Sequence, residues 1–122
     1  MYEADSERMA LEAYPGFAVR QLLSVSGRVS YKNDATKKQT PARADMRRRI
    51  VQVLMDEGVN GIRLRGDALL VASLVEDGSG DRLDAVLCAL QAAWGWRRRS
   101  DNFGLPETMD PVEGWIVSVP SA

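Results

Sequence analysis

Apolar positions fall into short periodic stretches separated by polar, Gly- and Pro-marked segments. The first, Met9-Ala10-Leu11-Glu12-Ala13-Tyr14, reads as a short strand that stops at the Pro15-Gly16 turn signal. Phe17, Val19, Leu22 and Leu23 then recur at helical spacing and predict a short helix beginning at the proline. No period is sustained from Val25 to Ala42, and Ser30 to Pro41 (SYKNDATKKQTP) reads as an exposed, mobile loop. Arg43 to Glu57 places Met46, Ile50, Val53 and Leu54 on one helical face, with Arg47, Arg48, Arg49 and Gln52 mostly turned away and Gly58 as C-terminal cap. Gly61 to Gly66 suits a short extended segment, and Asp67 suits the cap of an apolar helix from Ala68 to Glu76. The clearest helix runs from Asp81 to Trp94, with Leu83, Leu87, Leu90 and Trp94 in one stripe. A loop from Gly95 to Val112 follows, and Gly114 to Pro120 closes the chain as a short strand. The expected architecture is α/β, a single domain over residues 1–122 with few short strands and three to four helices. A sheet so small leaves edges to be covered, which favours a homo-oligomer, in the simplest case a homodimer.

Composition narrows the chemistry. With 45% hydrophobic and 27% charged residues and a formal net charge of -1, the chain is globular and not a polybasic binder. It has no histidine, which excludes histidine-based triads, imidazole acid–base catalysis and His-ligated zinc. The single cysteine, Cys88, excludes an intrachain disulfide and reads as a small core residue. The polar start MYEADSERMA is unlike a signal peptide, and no apolar run approaches the length of a membrane span. A cytoplasmic chain with no membrane partner is the resulting expectation.

Two groups of residues could carry chemistry. Asp81 and Asp84 are three apart and share a helical face, so both carboxylates could hold a hard divalent cation, Mg²⁺ or Mn²⁺. The competing reading is structural: Asp81 caps the helix and Asp84 complements the positive end of its dipole. Arg97, Arg98 and Arg99, flanked by Trp94 and Trp96, could bind nucleic acid through phosphate contacts and base stacking. Here the alternative is an ordinary cationic helix C-terminus.

The order Leu11-Glu12-Ala13-Tyr14-Pro15, Tyr31-Lys32, Asp81-Arg82-Leu83-Asp84-Ala85, Glu113-Gly114-Trp115-Ile116 resembles the C-terminal half of a known family. This is the domain of unknown function 429, predicted to comprise ribonuclease-H-like nucleases. The resemblance implies a partial or reduced ribonuclease-H-like fold with acidic residues around Mg²⁺ or Mn²⁺. Asp81 and Asp84 match the family's acidic pair and Glu12 its strand glutamate, which makes all three candidate catalytic residues. The chain departs from the pattern by lacking the "G-x-D" and "D-x-P" motifs, and Arg82 replaces an alanine between the aspartates. Either an N-terminal half is missing or a second copy covers the exposed edge. With so few carboxylates, the departure implies nuclease ancestry in a chain that is catalytically silent alone. The alternative function is a non-catalytic interaction or nucleic-acid-binding module using Arg97–Arg99 and Trp96.

Overall fold

Four α-helices carry the fold in the computed structural model, which describes residues 13–105. Helix α1, Pro15–Leu23, starts where proline's fixed φ suits a first helical turn. It ends at Ser24, whose left-handed backbone (φ 55°) returns the Val25 N–H to the Arg20 carbonyl at 3.0 Å. Helix α2, Pro41–Asp56, is capped by the Thr40 hydroxyl, which accepts from the Arg43 N–H at 3.2 Å. Beyond it Gly58 has φ +66°, and a Cβ there would lie 1.9 Å from the Ile62 carbonyl oxygen, so the turn needs glycine. Helix α3, Ala68–Glu76, is capped by Asp67, which accepts from the Leu70 N–H at 2.9 Å. Helix α4, Asp81–Arg97, is the longest, and the chain leaves it through a 3₁₀ stretch, Arg99–Gly104.

Helix α2 packs on α3, α1 packs on both α2 and α4, and α3 closes against α4. Val19, Ile50, Leu54, Leu74, Leu83 and Leu87 are fully enclosed between them. The expected core residues Leu83, Leu87, Leu90, Ile50 and Leu54 are all buried, whereas Val53 is only partly so. On α2 the buried stripe is Arg47, Ile50, Val51 and Leu54, the i, i+3, i+4, i+7 pattern of one helical face. Arg47 is therefore inside, contrary to its expected outward position. Its Nε donates to the Val75 carbonyl at 2.8 Å and its Nη1 to the Tyr31 carbonyl at 2.9 Å. Burial lowers its pKa, but two carbonyl acceptors make the guanidinium tolerable there.

The expected α/β architecture, a partial ribonuclease-H-like domain, is not what these residues form. Among the described residues there is no sheet, and extended pairing is confined to one bridge between Val59 and Ile62. The physical reason is periodicity: apolar positions in residues 46–54, 69–75 and 83–95 repeat every three or four residues and bury against other helices. Gly61 to Gly66 forms no ladder, although the Leu64 N–H returns to the Leu54 carbonyl at 2.9 Å. The expected strand at Gly114–Pro120 lies outside the described residues, as does the one at Met9–Tyr14 except for its last two positions. Of those, Tyr14 is an extended lead into α1.

The expected mobile loop from Ser30 to Pro41 is tied down. Tyr31 is buried, the Asn33 N–H donates to the Gly78 carbonyl at 3.1 Å, and the Gln39 amide donates to the Asn33 carbonyl. Its partner Gly78 is far away in sequence, so the loop's polar composition alone could not reveal it.

Candidate functional site

Three segments distant in sequence converge beside the first turn of α1. Tyr14, Pro15 and Gly16 form one wall, Arg28 to Lys32 a second, and Asp84 on α4 the floor of a cleft of about 450 Å³. Each segment is fixed by a specific contact. The Tyr14 N–H donates to Oε1 of Gln91, itself buried on α4, at 2.8 Å. Arg47 holds the Tyr31 carbonyl, as described above. At the third segment Gly80 has φ +76°, and a Cβ on it would lie 2.6 Å from Cβ of Lys32. Glycine thus provides the left-handed turn into α4 and also lets Lys32 lie directly against it.

Asp84 is the electrostatic centre of this cleft. Its Oδ1 accepts from the Tyr31 hydroxyl at 2.6 Å, and its Oδ2 is bonded to the Lys32 ammonium. Burial first, and the bond to Asp84 second, push the Tyr31 phenol far above its ordinary value. The bond to Asp84 likewise raises Lys32, against a smaller opposing effect of burial. Near pH 7 the phenol is therefore neutral and Lys32 an ammonium, and both bond to Asp84.

Both Asp84 oxygens already accept hydrogen bonds, and Lys32 places a positive charge where a metal would have to approach. Asp81 is exposed one turn earlier, and among the described residues no three carboxylate or thiol groups gather at a point. Glu12 lies outside the described residues. Nor does Asp81 cap α4: the cap position is Gly80, and Asp77 supplies the carboxylate, its Oδ2 accepting from the Arg82 N–H at 2.9 Å. That bond, assisted by the Ser79 hydroxyl, lowers the Asp77 pKa. Cys88 is partly buried one turn beyond Asp84, and burial raises its thiol pKa, so it is no ready nucleophile.

The opposite end of α4 carries the arginine run. Arg97 donates to the Asn60 carbonyl at 2.8 Å, which anchors the helix end to the turn after α2. Arg98 pairs with Asp101 at 2.7 Å and lies 5.6 Å from the centre of the Trp94 ring. Arg99 stacks 4.5 Å over the ring of Trp96, which is 62% exposed. The residues that periodicity did not single out are Arg20, Arg28 and Asp77. A signal existed only for Tyr31-Lys32, in the family-like motif order.

A family model described as protein of unknown function (DUF429) matches residues 2–107 of the 122. The chain belongs to the DUF429 family. No curated protein and no solved structure matches it. The DUF429 match spans all four helices, and Tyr14-Pro15, Tyr31-Lys32 and Asp84, three of the motif segments that suggested the resemblance, line the one cleft. Among the described residues no helix is long and apolar enough to cross a membrane.

Proposed function

We propose that this DUF429 chain is a non-catalytic nucleic-acid-binding module whose contact surface is the C-terminal end of α4, with Arg97, Arg98, Arg99 and Trp96. The observation that carries this reading is the Arg99 guanidinium stacked on an exposed Trp96 ring. A flat aromatic surface with a cation beside it suits a base stacked next to a phosphate, and every base has a face that can use it. Each guanidinium has five N–H donors, and bonds among the described residues occupy few of them. Metal-dependent hydrolysis, the other reading, is disfavoured by the engagement of Asp84 with Tyr31 and Lys32.

The test is a titration of labelled single-stranded DNA and RNA with the purified chain in excess chelator. Binding should persist without divalent metal and weaken as salt rises, with a log–log slope of at most about −2 for three phosphate contacts. Trp96→Ala should cost about 1–3 kcal/mol of binding. Robust cleavage in millimolar Mn²⁺ that both Asp81→Asn and Asp84→Asn abolish would overturn the proposal in favour of hydrolysis.

A further inference from the structure

The cleft beside α1 holds more positive charge than its own carboxylate offsets. Lys32 is matched by Asp84, but among the described residues neither Arg20 nor Arg28 has a carboxylate partner, and both line the cleft. Arg20 is positioned rather than free, its guanidinium 5.7 Å from the ring centre of Tyr14 and 5.9 Å from that of Phe17. The Tyr14 ring folds back over Gly16, where a Cβ would come within 3.3 Å of it, and remains 45% exposed. With Pro15 and Val29 it adds apolar surface to the lining of the cleft. A volume of about 450 Å³ lies in the range of small-molecule sites.

We propose that this cleft binds a small phosphomonoester, with Arg20 and Arg28 on the phosphate oxygens and the Tyr14 ring against a planar body of nucleobase type. Charge selects the ligand class. Two guanidiniums with no carboxylate partner among the described residues balance a phosphate dianion, whereas one carboxylate would leave a cation unmatched, and the guanidinium fork fits phosphate oxygens two at a time. Asp84 does not repel the ligand strongly, because Tyr31 and Lys32 already hold its oxygens. Lys32 retains N–H donors beyond the one given to Asp84 and lines the same cleft. Asp84 and Trp96 are twelve residues apart on α4, or roughly 18 Å along its axis, so the inference does not rest on strand binding at the arginine run.

The experiment is calorimetric titration of the full chain with adenosine 5′-monophosphate and with adenosine, alongside 5′-phosphorylated and 5′-hydroxyl forms of one short oligonucleotide. The monophosphate should bind at least tenfold more tightly than the nucleoside. Arg20→Gln and Arg28→Gln should each weaken it about tenfold, while Arg48→Gln, on the outer face of α2, should leave it unchanged. Thermal melts of the variants establish that each is folded. If only the 5′-phosphorylated strand gains affinity, and Arg28→Gln removes that gain, the phosphomonoester is a strand end rather than a free nucleotide, and the proposal stands. Undiminished binding by both arginine variants overturns it, as does no preference for phosphate in either ligand pair.

Discussion

At its first turns α4 is sewn into the molecule. Asp77 accepts from the Arg82 N–H, Gly80 admits Lys32, and Asp84 takes hydrogen bonds from a buried phenol and an ammonium. At its last turn the same helix presents an exposed indole, a guanidinium stacked on it, and two further arginines, one on the Asn60 carbonyl and one paired with Asp101 beside the Trp94 ring. Ionisable groups are plentiful at both ends, but at the first their bonding capacity is turned inward and at the second outward. The contrast separates charge that organises the fold from charge available to a partner. A carboxylate pair read on one helix face looks open until the loop packed against it is known. Among the described residues the arginine run at the helix end stays exposed.

The largest effect that should separate the two ends is in stability. Leu83→Ala, at a fully enclosed position, should cost about 2–5 kcal/mol in urea unfolding, against less than about 0.5 kcal/mol for Trp96→Ala. A comparable loss at Trp96 would mean that the exposed end is also structural. Next is Arg47→Met, which strands the Val75 and Tyr31 carbonyls and should cost about 2 kcal/mol. Arg48→Met, which breaks only an exposed pair with Asp45, should cost less than about 0.5 kcal/mol in the same assay. Gly80→Ala should cost about 1–2 kcal/mol through its left-handed backbone and should shift the NMR signals of Lys32 and Tyr31 while leaving the Trp96 indole unmoved. The smallest effect is with pH. The folded-state pKa of Asp77 is depressed, so its contribution is present above the ordinary value of 3.8 and is lost as pH falls through the lowered one. Asp77→Asn should flatten that acid limb of the stability profile, measured by urea midpoints between neutral pH and pH 2.

Helices were legible wherever the apolar period was sustained. Helix α3 runs from Ala68 to Glu76 with Asp67 as its cap, as the residues themselves suggest, because cap and period are both local signals. Arg47 was not legible, since a side chain in a run of three arginines looks solvated until its two carbonyl acceptors, one on α3 and one in the loop before α2, are in place. The same holds for Asp84, whose partners Tyr31 and Lys32 lie more than fifty residues earlier. The α/β expectation rested on short strands read at Met9–Tyr14 and Gly114–Pro120, an extended Gly61–Gly66 and the ribonuclease-H-like resemblance, whereas the described residues form helices and no sheet. The cleft lay between these cases. Family-like motifs named three of its segments, but only their convergence revealed two arginines that have no carboxylate partner among the described residues.

The most direct test of an open and a closed end on one helix is a single binding comparison. Wild type, Trp96→Ala and Asp81→Asn are titrated in parallel, in chelator and low salt, against one labelled 5′-hydroxyl single strand. The account predicts that Trp96→Ala loses about 1–3 kcal/mol of affinity while Asp81→Asn stays within about twofold of wild type. Undiminished binding by Trp96→Ala, with binding lost in Asp81→Asn, would contradict it.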